Sequence, residues 1–164
     1  MTAPPSARDL VLAAIDGDLG RVQDLVNAGA RVDKPDQFGW LPIHRAAAND
    51  RDAIIDFLVE RGSPIENRGT DDWTALHLAR VSGSPLAAAA LIRHGASLDA
   101  IGRKGNTPLH LALIPKIRET IEILVRAGAD TKIKDERGRT PSDIARDEGC
   151  LDLASLIDGA GRAG

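Results

Sequence analysis

Three histidines return at a fixed interval along the chain: His44, His77 and His110 lie 33 residues apart. Imidazole is a frequent general base and a common metal ligand, so these side chains raise the question of catalysis or metal binding. A 33-residue interval places the rings in successive layers of a repeated unit instead of around one centre. No cysteine or carboxylate recurs beside them in a ligand pattern. We therefore expect a structural role for the three histidines.

A repeated frame surrounds each histidine and indicates the elements that hold it. The copies of the frame are Leu41-Pro-Ile-His44, Thr74-Ala-Leu-His77, Thr107-Pro-Leu-His110 and Thr140-Pro-Ser-Asp143. Glycines with the same spacing recur at Gly29, Gly62, Gly95 and Gly128. In the second copy, apolar-periodic segments at 42–48 and 52–61 are separated by Asn49-Asp50, which predicts a helical hairpin. One such hairpin cannot bury its apolar face alone, so the copies must stack.

The composition limits the class of protein. With 164 residues, 43% apolar content and a net charge of −3, the chain can fold as one domain and lacks the basic surface of a general nucleic-acid binder. Residues 101–140 differ, with nine Lys or Arg against five Asp or Glu. The polar leader with Pro4 and Pro5, the lone Cys150 and the absence of a membrane-length apolar run predict a cytoplasmic protein that does not enter a membrane.

The sequence offers no reaction to assign. It lacks a Ser-His-Asp order, a glycine-rich phosphate cradle and an HExxH arrangement. We therefore predict a non-enzymatic protein without metal or cofactor, monomeric when free.

The frame closely resembles the ankyrin repeat, with Gly105-Asn-Thr-Pro-Leu-His-Leu-Ala and Asp135-Glu-Arg-Gly-Arg-Thr-Pro near the family consensus. The resemblance implies an all-α ankyrin-repeat solenoid of stacked helix-turn-helix units with projecting hairpin loops, in a single domain. The units expected are an N-cap repeat at about 6–35, inner repeats at about 36–68, 69–101 and 102–134, a C-cap repeat at about 135–158 and a flexible tail at 159–164. In this family the frame threonine and histidine satisfy backbone groups within and between repeats.

Several local features refine this expectation. Ser6 with Asp9 predicts a helix N-cap, and the helices of the first copy should run over about 7–15 and 19–28 with a turn at Gly17. The polar Ser142 and Asp143 should face water in the C-cap repeat.

Two irregularities interrupt the inner copies. Asp72 replaces the hairpin glycine of the third copy, which makes the local geometry there less regular. Pro115 must end its helix early, because it cannot donate to the helix ladder.

The resemblance also implies where a ligand would bind, since the family grips ligands with hairpin tips and inner helices on a concave face. By register, the predicted partner-binding residues are Phe38, Trp40, Asp71, Trp73, Val81, Lys104, Asn106, Ile114, Arg137 and Arg139. Three of the four aromatic residues fall in this set, at hairpin positions that the fold does not require to be apolar. Exposed Trp is typical of interface hot spots, although the rings could instead fold over the neighbouring hairpin loops.

We therefore predict a module that binds another protein, as an inhibitor or immunity protein or as an adaptor or scaffold. Self-association through the face that carries Trp40 and Trp73 is an alternative. An enzyme or small-molecule sensor with a groove site is a further one, disfavoured because the inner-helix positions Ala48, Val81 and Ile114 offer no titratable group.

Overall fold

A computed structural model describes residues 5–79, 85–114 and 116–161 and arranges them as pairs of antiparallel helices. In chain order the helices are α1 (Ala7–Asp16), α2 (Leu19–Asn27), α3 (Pro42–Ala48), α4 (Asp52–Glu60), α5 (Ala75–Leu78), α6 (Leu86–Arg93), α7 (Pro108–Leu113), α8 (Arg118–Ala127), α9 (Pro141–Asp147) and α10 (Leu151–Ala160). Short 3₁₀ turns lie at Thr70–Asp72 and Arg103–Gly105. No β-strand occurs in the described ranges. The all-α solenoid predicted from the repeat is confirmed.

The helices stack in two rows. The odd-numbered helices contact one another in the order α1, α3, α5, α7 and α9, and the even-numbered helices form a second row behind them. Aliphatic and alanine side chains of both rows form one continuous core. Phe57 is part of it. Alanines of the inner row, such as Ala46, Ala79 and Ala112, are fully buried, because a small side chain allows neighbouring inner helices to approach closely.

The first two copies follow the sequence prediction closely. Ser6 caps α1, and Ser6 and Asp9 form the reciprocal hydrogen bonds of a capping box. Gly17 ends α1 with a φ of 81°, in the left-handed region that glycine adopts without strain. In the second copy, Asp50 adopts a φ of 56° in the turn between α3 and α4.

The last copy differs from the prediction in two respects. Ser142 was expected to face water, but its side chain is buried and hydrogen-bonded to Asp158. The tail after Asp158 was expected to be mobile, but α10 continues through Gly159 and Ala160. Residues 162–164 lie outside the described ranges. Polar side chains of α9 and α10 therefore bond to each other at this end of the stack.

Hairpin loops closed by the same backbone hydrogen bond precede the inner helices α3, α5, α7 and α9. They comprise residues 36–40, 69–73, 102–106 and 135–139, numbered here as hairpin loops 1 to 4. In each loop the first residue donates its N–H to the carbonyl of the fifth, over 2.9 or 3.0 Å. Gly39, Gly105 and Gly138 take a positive φ at the fourth position. Asp72 occupies this position in loop 2 with a φ of 62°, so the loop keeps its shape without glycine.

The histidines join each inner helix to the following hairpin segment. Nδ1 of His44, His77 and His110 accepts the N–H of the frame residue three positions earlier, over 3.1–3.3 Å. Because Nδ1 is an acceptor, the proton must reside on Nε2, which donates to a backbone carbonyl in or just before the next hairpin loop. These carbonyls belong to Asn67, Asn106 and Arg139, at 2.9, 3.1 and 3.2 Å respectively. The structural role expected for the histidines is confirmed.

Burial holds the three rings in the neutral form. All three side chains are 0% exposed. Removal from water disfavours the imidazolium and lowers the pKa of His44 and of His77 to about 4, from an ordinary value of 6.5. The pKa of His110 is lowered for the same reason. A protonated ring would also direct an Nδ1–H toward the backbone N–H that it now accepts.

Each tryptophan packs on a glycine of the next hairpin loop. A Cβ built on Gly69 would lie 2.3 Å from Cε3 and Cζ3 of Trp40, and one on Gly102 would lie 2.7 Å from Cδ1 of Trp73. Both glycines have a negative φ, so space, and not backbone conformation, requires a residue without a side chain. Both indoles are half-buried as a result.

The same pair of positions carries a different combination farther along. Asn106 replaces the tryptophan and Asp135 replaces the glycine. Oδ1 of Asp135 accepts the N–H groups of Arg137 and Arg139, each over 2.9 Å, which ties its own loop together. Where the fifth residue of a loop is tryptophan, the first residue of the next loop is glycine. Where the fifth residue is asparagine, the first residue of the next loop is aspartate.

Stability should fall as the pH decreases from about 6.5 to about 4. The folded pKa of His44, His77 and His110, called here the ladder histidines, lies below the unfolded value. The unfolded chain therefore binds more protons in this window. Each histidine contributes a slope of up to about 1.4 kcal/mol per pH unit. Urea unfolding at successive pH values measures this slope of the free energy of unfolding. His77→Gln should remove the contribution of one histidine, which corresponds to the uptake of about one proton on unfolding. An equal slope in the variant and the parent would contradict the assignment.

Gly69→Ala should destabilise the protein by about 1–3 kcal/mol, because the added methyl group forces the Trp40 ring from its position. Gly159→Ala is the control: no atom lies within 4 Å of its added Cβ, and alanine favours a helix. Urea unfolding monitored by circular dichroism gives both values.

A paired exchange tests the same contact independently. Gly69→Asp combined with Trp40→Asn reproduces the combination at Asn106 and Asp135. The double variant should be more stable than the sum of the single changes by about 1 kcal/mol or more. Simple additivity would show that the ring and the glycine do not depend on each other.

Candidate functional site

The residues predicted to bind a partner differ widely in exposure. Phe38 at the tip of hairpin loop 1 and Ile114 at the end of α7 are each 60% exposed. Lys104 and Arg137 are also exposed at the tips of loops 3 and 4. Val81 lies outside the described residues. The large apolar side chains available to a ligand in this set are therefore Phe38 and Ile114.

The two tryptophans are neither sealed in the interior nor freely projecting, which corrects the expectation of solvent-facing indoles. Besides lying against Gly69, Trp40 meets the edge of the His44 ring at a centroid distance of 5.3 Å. The Arg45 guanidinium lies 5.6 Å from the Trp40 ring centroid. The rings therefore fold over the neighbouring loop, the alternative that the sequence had left open, and keep only part of their surface accessible.

The polar members of the predicted set are largely engaged within the protein. Asp71 forms an ion pair with Arg103 of the next loop. The carbonyl of Asn106 accepts the Nε2–H of His77, and its side-chain amide donates to the Arg103 carbonyl. Asp71 and Asn106 thus hold loops 2 and 3 in place.

Arg139 is similarly occupied. Its Nε and Nη2 donate to Oδ2 of Asp135 over 3.1 and 2.9 Å, and Nη1 lies 3.6 Å from Asp147. The pKa of Asp135 is lowered overall: burial acts to raise it, but the N–H of Arg139, the Arg139 side chain and the N–H of Arg137 together outweigh that effect. On this surface, the positive charge of residues 101–140 is therefore carried mainly by Lys104 and Arg137.

An apolar groove that the residue register did not predict lies between α1 and hairpin loop 1. This N-terminal groove has a volume of about 450 Å³ and is lined by Arg8, Val11, Leu12, Ile15, Pro35, Asp36, Phe38 and Arg45, among others. The α1 residues at positions 8, 11, 12 and 15 share one helix face, since their spacing follows the helical period. Leu12, at the edge of this face, is 41% exposed.

The groove opens where the histidine ladder has not yet begun. Val11 stands 33 residues before His44, in the histidine position, and has no nitrogen that could donate to loop 1. This valine is the signal in the sequence that indicates the groove. The first copy lacks the rest of the frame, so the register alone does not mark this position.

A partly buried ion pair lies beside the apolar wall. Nη2 of Arg45 donates to Oδ2 of Asp36 over 3.2 Å. Oδ1 of the same carboxylate accepts the N–H groups of Phe38 and Trp40, over 2.8 and 3.0 Å. In the following copies the position of Arg45 is occupied by Leu78, Leu111 and Ile144, all buried. Arg45 thus introduces a positive charge where the repeat otherwise carries an aliphatic side chain.

The groove continues past Phe38 into a second, more open depression. This depression has a volume of about 520 Å³ and is lined by Gln37, Phe38, Trp40, Arg45 and Thr70. Thr70 donates to the Phe38 carbonyl over 2.6 Å, which fixes the backbone between the two cavities. Phe38 and Trp40 are thereby brought to one continuous surface, as the register predicted for adjacent positions of one loop.

Both nitrogens of each ladder histidine are occupied by backbone groups. Among the residues described, no group of three or more His, Cys, Asp or Glu side chains is arranged to hold a metal ion. Within the same ranges, no helix combines the length and apolar character needed to span a membrane.

Comparison with known proteins identifies the same repeat. A family model of ankyrin repeats, in three copies, matches residues 10–102 and 62–135. The human protein "Ankyrin repeat domain-containing protein 39" is 38% identical over 53 residues, which cover 32% of this chain and 29% of that protein. The chain thus matches less than a third of that relative's length. Ankyrin repeats are generally protein–protein interaction modules, and the family is typically a non-enzymatic scaffold. Because the matched segments span most of the stacked helix pairs, the chain belongs to the ankyrin-repeat family.

Proposed function

We propose that the protein is a non-enzymatic module that binds a partner protein across the inner helices and hairpin tips. The observation that carries this proposal is the exposure of Phe38 and Ile114 on this face. The stack does not require either side chain for its core, and large exposed apolar side chains are typical of surfaces that a partner covers. Lys104 and Arg137 extend the same face as a basic rim. Binding of this kind serves an inhibitor, an immunity protein or an adaptor equally well, and we place the protein in the cytoplasm.

Partner binding across this face does not require fully exposed tryptophan rings. Trp40 contributes its accessible edge to the depression beside Phe38, and Trp73 supports loop 3 through its contact with Gly102. Their substitution would disturb the loops themselves, so exposed residues provide the cleaner test. Self-association through the same face remains the alternative, since it would bury the same side chains.

Phe38→Ser combined with Ile114→Ser should leave the fold intact and reduce capture of the principal partner by about tenfold or more, because truncation of hot-spot side chains removes binding energy. The matched control is Leu86→Ser with Leu151→Ser, which removes side chains that are 51% and 67% exposed at the first residues of outer helices. Affinity capture from lysate with quantitative mass spectrometry measures the difference, with circular dichroism as a folding check. If the first double variant captured the partner as well as the parent protein does, and the control double variant did not, the binding face would lie on the outer row of helices.

A further inference from the structure

The N-terminal groove carries more positive than negative side chains along its apolar walls. Two guanidinium groups, Arg8 and Arg45, line it together with a single carboxylate, Asp36. That carboxylate is already engaged, since it accepts two backbone N–H groups and one N–H of Arg45. The groove therefore presents a positive charge beside the aliphatic side chains of Val11, Leu12 and Ile15.

Arg45 is positioned to meet a ligand on either side of Phe38. It lines both the groove and the adjoining depression. Its Nε is buried and has no hydrogen-bond partner. The ion pair with Asp36 and the contact with the Trp40 ring hold the guanidinium in one place. A fixed arginine beside an apolar cavity is suited to a carboxylate, because the planar guanidinium donates parallel hydrogen bonds to it.

The two cavities share Gln37, Phe38 and Arg45, so one ligand can occupy both. Their volumes of about 450 and 520 Å³ are each large enough for a bulky side chain. A short segment of polypeptide would straddle Phe38 and place one side chain on each side of the ring. A small amphiphile held in the first cavity would leave the second one empty.

We infer that the N-terminal groove is the docking site for a peptide segment of the partner protein that carries bulky apolar side chains next to an Asp or Glu. The segment inserts an aliphatic or aromatic side chain against Leu12 and Ile15, and its carboxylate pairs with Arg45. Charge complementarity sets this preference, since the carboxylate of Asp36 is occupied and the guanidinium groups are in excess. This inference rests on the proposed function, because it names the chemistry of the partner at one part of the same face.

Random dodecapeptides displayed on phage, selected on the full chain, provide the probe. Enriched peptides should combine a bulky apolar residue with an acidic residue within a few positions. Synthetic copies should bind at least roughly tenfold more weakly to Arg45→Leu and to Phe38→Asp. Both changes introduce a residue type that the repeat already carries at that register, Leu78 and Asp71 respectively, so the fold is expected to persist. Leu86→Asp, at an exposed position of the outer row, should bind as the parent does.

A charge exchange separates the carboxylate contact from simple loss of packing. Replacing the peptide's acidic residue by its amide should weaken binding to the parent and have little further effect on Arg45→Leu. Circular dichroism of each variant verifies folding, and sedimentation velocity measures self-association.

Distinct results would overturn the inference. Docking of such a segment in the N-terminal groove would be refuted if the enriched peptides lacked acidic residues. It would also be refuted if they bound Arg45→Leu and Phe38→Asp as tightly as they bind the parent. If such peptides were instead lost on Lys104→Glu or Ile114→Ser, the proposed function would stand and only the docking site would be wrong. Dimers abolished by Phe38→Asp, with no peptide selected, would show that a second copy occupies the groove. A selection without binders and a monomer in sedimentation would contradict both proposals.

Discussion

The inner repeats depend on one hydrogen-bonded bridge, a neutral imidazole that links the start of an inner helix to a backbone carbonyl in or just before the next hairpin loop. Its Nδ1 accepts within its own copy and its Nε2–H donates to the following one, as in His77 between Thr74 and Asn106. A side chain with one polar atom could make only half of this link. The bridge is buried, so its loss would leave unpaired polar groups, each of which costs about 1–3 kcal/mol. The 33-residue period is the spacing at which successive copies place these groups in register.

The ends of the array show what happens where the bridge has no partner. Asp143 replaces histidine in the last copy and accepts the N–H and the hydroxyl of Thr140, over 2.9 and 2.8 Å. These bonds lower the pKa of Asp143, since they favour the ionised carboxylate. A carboxylate cannot donate onward, and no hairpin loop follows α9 within the described residues. The substitution therefore keeps the half of the bridge that faces inward.

Most of the fold followed from the sequence, because the period fixes the contacts of a solenoid with its nearest neighbours. The cap at Ser6 and the turn at Gly17 are local signals and were predicted with nearly correct bounds. The exposure of Trp40 could not be read from its own repeat, since it is decided by Gly69, 29 residues later. The burial of Ser142 depends in the same way on Asp158 of the next helix. Candidate site residues were thus misplaced where their surroundings come from a neighbouring copy that departs from the period.

The two ends of the array also treat apolar surface differently, and this difference bears on recognition. At the last copy, Ser142 and Arg146 both bond to Asp158, so polar groups line that end, as solubility of a terminal repeat requires. At the first copy, Val11 and Leu12 leave an apolar wall beside Phe38. Stability does not require an apolar wall at an end of the array, since polar side chains line the opposite end. The architecture can avoid such an apolar opening, and the arginine beside it stands where later copies carry Leu or Ile. Binding of a ligand explains both features better than packing does.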